Sequence, residues 1–490
     1  MPPPVLEWGL RWLATGPRAI HHPGSCDSEI RPVFPMPLRD RAPKLSTEQY
    51  QKNFAEISPR MTERQALIEA SRCLYCFDAP CTIACPTHID VPAFIKKIST
   101  GNLRGSAREI LTANILGHSC GRVCPTEALC EGACVMHERG ELPIEIGRLQ
   151  RYAVDFVLTN NISLFSPGAP NGKRVACIGS GPASLACAAE LAKYGYEVTV
   201  YDRNELPGGL NTYGIAAYKS RALDSVRETD LVKQLGVKFC QKIEVGRDIL
   251  LAQLERECDA IFVGVGLGET WDLNLPGEEL HGVYGAIEFI ETTKVQPFEQ
   301  VTIGRRVACI GAGNTAIDVV TAARRLGAEA VYLIYRRGEP EMPAFRYEYE
   351  LAKQDAVTFL WQTQPVRVLG HEGVVTGLEC VRTQLDRSDG KGRPRPLPIA
   401  GTEFKLEVDM VVRAVGQKPT TDFLRAVKGV EINPDGTVRI NDVHQTGHPK
   451  YFAAGDCTNG GKEVVDAVAE GMAAARSLDA WLGSPRARER

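Results

Sequence analysis

RVACIGSGPASLACAAEL (Arg174–Leu191) and RVACIGAGNTAIDVVTAA (Arg306–Ala323) are one pattern written twice, about 130 residues apart. Each begins as a short apolar strand, turns on glycines and continues as a helix. In the first copy Gly179 permits the tight turn and Gly181 lets backbone approach a pyrophosphate. The helix expected from about Pro182 turns its unpaired N–H groups and its dipole toward the phosphates. The third position of the pattern is Ser184, small enough for a helix to pack closely on the strand. EVTVYD then ends in Asp202, where a carboxylate accepts from ribose hydroxyls. Glycines alone would be a weak signal; a strand before, a helix after and an acid at the right distance define a dinucleotide site. In the second copy Gly311, Gly313 and Ala316 fill the three positions, and AVYLIYRR ends in Arg336 and Arg337 instead of an acid. A cation pair there suits a 2′-phosphate, so NADPH is the expected ligand and NADH the alternative. Both copies keep their glycines, which favours two working sites over one site and a relic.

Outward from this repeat, the chain divides by character. Its 490 residues exceed one ordinary domain, and 44% hydrophobic with 24% charged residues is the composition of a globular protein. A net charge of −3 gives nucleic acid or an anionic membrane surface no purchase. No apolar run approaches the ~18–20 residues of a membrane span. Residues 1–45 are rich in Pro and Arg, have no signal-like apolar core, and read as a disordered lead-in. Cytoplasmic location is the default expectation. Residues 46–160 read as helices and loops, with Thr62 and Gln65 forming a capping-box pattern. After SPGAPNGK (Ser166–Lys173), strands and helices alternate as in α/β folds.

Of 16 cysteines, half lie between Cys73 and Cys134, and the rest are scattered singly. Cys73, Cys76, Cys81 and Cys85 follow C-x2-C-x4-C-x3-C-P; Cys120, Cys124, Cys130 and Cys134 follow in CGRVCPTEALCEGAC. A dense block without an export signal points to metal, not disulfides. Zinc and iron–sulfur clusters both fit such spacing, and Cys120 is on spacing alone a natural ligand.

A third segment, YFAAGDCTNGGKEVVDAVAEGMAAA from Tyr451, resembles the late motif of two-dinucleotide flavoprotein reductases, as does the AVGQKP turn from Ala414. That resemblance implies a split FAD domain with the nicotinamide domain inserted between its halves. Gly455 and Asp456 would serve the ribityl chain, and Gly208, Gly209 and Leu210 of the PGGL turn would lie along the flavin, with Ala183 beside the first glycine turn. Gly311, Gly313, Asn314, Thr315, Arg336 and Arg337 would take the nicotinamide dinucleotide. Beside a flavin with no Cys-x-x-Cys acceptor in the nicotinamide domain, iron–sulfur clusters are the favoured content of the cysteine block.

With SRCLYCFDAPCTIACP, GRVCPTEALCEGAC, PIEIGRLQRYAVDF and GSGPAS in view, the chain is similar to the glutamate synthase small-subunit superfamily, nearest to the flavin and NAD(P)-binding subunit of dihydropyrimidine dehydrogenase. The resemblance implies two [4Fe–4S] clusters bound crosswise: Cys73, Cys76, Cys81 and Cys134 for one, Cys85, Cys124, Cys130 and Gln150 for the other, with Cys120 a bystander. It implies an electron-input subunit that oxidises NAD(P)H with FAD and feeds an FMN-containing, pyrimidine-reducing partner subunit. Hydride transfer between the cofactors needs no side-chain acid or base, so no catalytic side chain is named. The alternatives are a glutamate synthase small subunit or a paralogue with another acceptor and, in a different class, a non-redox zinc-binding interaction module. The expected architecture is an α-helical iron–sulfur domain followed by an α/β two-dinucleotide-binding flavoprotein. Its expected parts are residues 46–160 for the clusters, 170–290 and 413–482 for the split FAD domain, 291–412 for the NAD(P)H domain, and a tail over 483–490.

Overall fold

In the computed structural model, residues 38–386 and 393–483 are described. The disordered lead-in expected over residues 1–45 therefore lies outside the described residues up to 37, as does the tail after 483. The last part of that lead-in is not loose: Ala42 N donates to Ile303 O (3.0 Å) and Arg305 N to Asp40 O (3.1 Å), and Arg41 forms a bridge with Gly304.

Seven helices follow: α1 (Thr47–Asn53), α2 (Glu63–Arg72), α3 (Pro80–Ile83), α4 (Val91–Ser99), α5 (Leu103–Ala113), α6 (Gly117–Val123) and α7 (Ile146–Thr159). The Thr62–Gln65 capping box starts α2, and the Asp90 side chain caps α4 by accepting from Ala93 N. The helices are held by one core in which Phe94, Ile110, Leu111, Leu149 and Val154 have no exposed surface. Each such side chain contributes about 1.5–3 kcal/mol by burial. Cys73 closes α2, Cys81 lies in α3, Cys120 lies in α6 and Cys124 closes it.

The chain then alternates through β1 (Arg174–Ile178), α8 (Pro182–Lys193), β2 (Glu197–Asp202), α9 (Leu210–Tyr213), α10 (Ala222–Lys233), β3 (Lys238–Gln241), α11 (Leu251–Glu257), β4 (Ala260–Val263) and β5 (Leu267–Thr270). It continues with β6 (Val283–Gly285), α12 (Ala286–Val295), β7 (Arg306–Ile310), α13 (Asn314–Arg325), β8 (Ala330–Ile334), α14 (Arg346–Gln354), β9 (Thr358–Leu360), β10 (Thr363–His371), β11 (Val374–Asp386), β12 (Arg395–Pro398), β13 (Phe404–Leu406) and β14 (Met410–Arg413). It closes with β15 (Gln417–Pro419), β16 (Tyr451–Ala453), α15 (Asp456–Asn459) and α16 (Val464–Leu482).

Two five-stranded parallel sheets result, in the orders β16-β4-β1-β2-β3 and β6-β14-β7-β8-β9. Strands β1 and β7 are apolar runs buried on both faces, as parallel strands covered by helices must be. The first sheet is completed by β16, about 270 residues after β1, and the whole second sheet lies between them in the chain. This is the split domain with an inserted domain. The second sheet already begins at Val283 with β6 and runs to Arg413 with β14. Antiparallel β5 and β15 form the two-stranded crossing between the halves.

Return of the chain to the first sheet depends on α16 lying against α8. A Cβ at Gly471 would stand 2.2 Å from Ala183 O, so only hydrogen fits. Gly471→Val is therefore expected to force the helices apart at a cost of about 1–3 kcal/mol. It should lower the midpoint of thermal unfolding followed by circular dichroism, and an unchanged midpoint would show that α8 and α16 do not depend on this close contact.

Candidate functional site

The first glycine turn is built where three distant segments meet. Gly181 caps α8, and Gly209, with φ +56°, comes so close that a Cβ on it would lie 2.7 Å from Gly181 Cα. From the far end of the chain, a Cβ on Gly455 would meet Ala183 Cβ at 2.9 Å. The three turns thus form one backbone-walled cradle, with the N-termini of α8 and α16 belonging to the elements that frame it. Asp202 is buried and already organised: its Oδ2 accepts from Ser180 N (2.7 Å) and Oγ (2.6 Å), and its Oδ1 from Asn204 N (2.7 Å). It ties the end of β2 to the glycine turn. Leu210 opens α9 directly after Gly209. Burial raises the Asp456 carboxyl above its usual range, although Lys462 N donates to it (3.2 Å).

The second turn repeats this design without the third wall. A Cβ at Gly311 would lie 2.2 Å from Ala414 O, so the Ala414–Gly416 turn backs it, while at Gly313 a Cβ would meet nothing within 4 Å. That open side is what an incoming phosphate requires. Asn314 and Thr315 begin α13, and Asn314 Oδ1 accepts from Phe345 N (3.0 Å). Arg336 and Arg337 follow β8; Arg336 is exposed, and Arg337 Nε donates to Pro394 O (2.9 Å).

Between the two turns lies a buried ionic junction. Lys219 Nζ contacts Glu348 Oε1 (2.5 Å) and Oε2 (2.6 Å) and Asp318 Oδ1 (2.6 Å). Tyr218 OH donates to Asp318 Oδ1 (2.8 Å). Burial drives the Glu348 carboxyl up to about 7; Lys219 pulls it down and Asp318 pushes it further up.

In the helical domain, Cys73, Cys76, Cys81 and Cys134 line a single apolar hollow with Ile95, Met136 and Ile146. Cys85, Cys124 and Cys130 form a second group within electrostatic reach of one another, and Cys120 is hydrogen-bonded to Cys124. Cys120 Sγ also accepts from Asn114 Nδ2 (3.2 Å). Gln150, on α7, faces α6: its Nε2 donates to Gly117 O (2.7 Å). Among the described residues no three His, Cys, Asp or Glu side chains are drawn tightly enough together to grip one bare ion. Burial pushes the Cys81 thiol up to about 12 and raises Cys73 and Cys130 too; Cys124 is raised first by its bond to Cys120 and then by burial. Thiols so placed are poor nucleophiles, and a metal that shares their charge is what would make them thiolates. The second group is joined to the first α/β unit. Glu228 of α10 accepts from His118 N (2.7 Å) and Ser119 N (3.0 Å) at the start of α6, all buried.

Known families match the same two regions. Residues 50–162 match the model of dihydropyrimidine dehydrogenase domain II, a 4Fe-4S cluster domain. Residues 173–471 match pyridine nucleotide-disulphide oxidoreductases. Together with the two glycine turns, these matches define an NAD(P)H-dependent oxidoreductase that uses FAD and iron–sulfur chemistry. The chain belongs to the pyridine nucleotide-disulphide oxidoreductase family, in the glutamate synthase small-subunit group that carries this cluster domain at its start. It is 37% identical over 476 residues to the putative oxidoreductase AegA of Escherichia coli, covering 93% of this chain and 72% of that one. It is 36% identical over 445 residues to the glutamate synthase [NADPH] small chain of E. coli, covering 88% and 94%. It is 34% identical over 435 residues to the E. coli NAD-dependent dihydropyrimidine dehydrogenase subunit PreT, covering 88% and 98%. In fold it is similar to Mycobacterium tuberculosis FprA in complex with NADPH, with a TM-score of 0.53, 22% identity, and coverage of 64% of this chain and 85% of that chain. Among the described residues no helix is long and apolar enough to cross a membrane.

The ionic junction and Glu228 were not among the residues the sequence pointed to. Their partners are 129 and about 110 positions away, and no short-range spacing marks them. The junction gives a stability profile with a definite sign. Glu348 keeps its proton in the folded state up to about 7 but loses it near 4.5 when unfolded, so its contribution is present at low pH and lost as pH rises through that window. Glu348→Gln should flatten the fall of the thermal midpoint between those values, read by differential scanning fluorimetry at stepped pH; an unaltered slope would place the titration elsewhere.

Proposed function

We propose that this chain is an electron-input subunit: it oxidises NAD(P)H with FAD and passes electrons through two [4Fe–4S] clusters to a partner. The observation that carries this reading is the placement of the two cysteine groups. The Cys85, Cys124 and Cys130 group sits by α6, which Glu228 clamps to the flavin-binding half. The Cys73, Cys76, Cys81 and Cys134 group lies at the outer end, where Leu74, Phe77, Ile83 and Leu142 are 48%, 105%, 67% and 79% exposed. Such side chains around an outlet are suited to receiving a protein acceptor.

The first group has four thiols for one cluster. The second has three and takes Gln150 as its fourth ligand; the amide nitrogen is held by Gly117 O, and Cys120 is engaged with Asn114 and Cys124. FAD would be held by Gly179, Gly181, Ala183, Asp202, Gly208, Gly209, Leu210, Gly455 and Asp456; when bound it accepts a hydride and releases electrons singly. The second nucleotide would be held by Gly311, Gly313, Asn314, Thr315 and the two arginines, with NADPH preferred over NADH. The acceptor in this reading is an FMN-containing subunit of dihydropyrimidine dehydrogenase, which the GRLQRYAVDF segment and Ser184 support. A glutamate synthase partner is the second reading, favoured by the 36% identity to that enzyme's small chain over 445 residues. The match to a 4Fe-4S domain speaks against a zinc scaffold.

Anaerobic purification with metal, sulfide and flavin analysis tests the reading. About eight irons and one FAD per chain are expected, with the visible flavin band bleached by NADPH. Zinc in place of iron, or no bleaching by either nucleotide, would overturn it. In the same preparation Gln150→Leu should alter the electron paramagnetic resonance of one cluster and leave the other, whereas two unaltered signals would remove Gln150 from the ligand set. For the nucleotide, Arg336→Ala with Arg337→Ala should raise KM for NADPH roughly 10- to 100-fold, the size of one or two lost charge-assisted hydrogen bonds, and leave NADH unaffected. An equal change for both nucleotides would refute the 2′-phosphate role.

A further inference from the structure

We propose that Lys219 is a positioning residue for hydride transfer: its ammonium, gripped by Asp318 and Glu348, sets the distance between the flavin-side turn and the second nucleotide's helix. Lys219 lies about ten residues after Gly209, at the end of the segment that begins with α9. Asp318 lies one turn into α13, the helix that opens at Gly313. The link is multiple. Besides Lys219, Asp318 receives Tyr218 OH (2.8 Å) and Ala216 N (3.4 Å), so one carboxylate of the inserted domain gathers three donors from the flavin-side segment. From the other side, Lys294 Nζ donates to Asn211 O (3.1 Å) and to Ser220 O, closing the segment into a rigid loop. The loop's first residues stand against Gly181 in the first cradle, and its last are bolted to the helix of the second.

A structural ion pair is the plain alternative. Yet a buried ammonium set between two buried carboxyl groups is a poor adhesive, because apolar side chains of similar volume would hold two domains together as well or better. What directed hydrogen bonds give and apolar contact does not is a fixed geometry. Hydride transfer depends steeply on that geometry, and a displacement of about 1 Å at a reacting pair can cost on the order of 10²-fold.

The test uses holoenzyme. Lys219→Met leaves two carboxylates without their cation, so the decisive variant is Lys219→Met with Asp318→Asn and Glu348→Gln, which leaves no unpaired buried charge. With FAD content and flavin midpoint potential at wild-type values, flavin reduction by saturating NADPH in anaerobic stopped flow should slow on the order of 10²-fold. The NADPH concentration at half-maximal rate should stay near wild type. Hydrogen–deuterium exchange should rise together at residues 216–220 and at Asn314–Arg325, and stay unchanged in β1 and β2. Wild-type reduction rates, unaltered exchange at the two segments, a shifted flavin potential that accounts for the rate, or a loss of rate matched by loss of NADPH affinity would each overturn the proposal.

Discussion

Close approach of bare backbone is the constraint on which this molecule is built. At Gly181 and Ala183 three segments from residues near 180, 208 and 455 come within van der Waals contact, and a fourth, the Gly471 face of α16, rests on Ala183 O. Side chains at these points would separate the segments and leave no cradle. The same contact explains the topology: β16 can rejoin the first sheet only if α16 reaches α8, so the split of the flavin-binding domain and the shape of its site are one requirement. The second turn lacks the third wall: at Gly313 a Cβ would meet nothing within 4 Å.

The helical domain meets this frame where Glu228 accepts from the start of α6, and α6 is in turn held within its own domain by charge. Asp155 of α7 faces His118 Nε2 (3.0 Å) and Arg122 Nη2 (3.1 Å) of α6 and Arg151 Nε (3.4 Å), while Glu56 pairs with Arg151. Burial opposes ionisation of Asp155, but the hydrogen bond from His118 and the two guanidinium groups outweigh it and hold the carboxyl below its ordinary range. Groups so desolvated are costly unless fully paired, and a paired set tolerates little displacement. The position of α6, and with it Cys120 and Cys124, is therefore held tightly relative to α7.

How much was legible in the sequence depended on range. Glycine turns, the acid at the end of β2, the arginines after β8 and the cysteine spacings are local patterns, and local patterns are what a sequence displays. The Thr62–Gln65 capping box was legible for the same reason. Asp40–Ala42 was read as loose because its composition is that of a linker; its backbone pairing with Ile303–Arg305 carries no side-chain signature. Lys219, Glu228 and Gly471 were silent because their meaning lies in partners that only the tertiary fold supplies.

Cys73 and Cys124 stand at helix C-termini, and that placement has a physical consequence. A thiol in mid-helix faces in one direction with its neighbours a full turn away, and it competes with core packing. At a C-terminus such as Cys73 or Cys124 the chain has left helical geometry, with ψ of 133° and 139°, and the side chain turns off the helix toward groups brought from elsewhere. Gathering Cys134 with Cys73, Cys76 and Cys81 across more than fifty residues closes the domain's outer end upon itself. The hollow is thus made by the fold of the helices, and the apolar core that orders Phe94 and Leu149 also fixes the thiols in place.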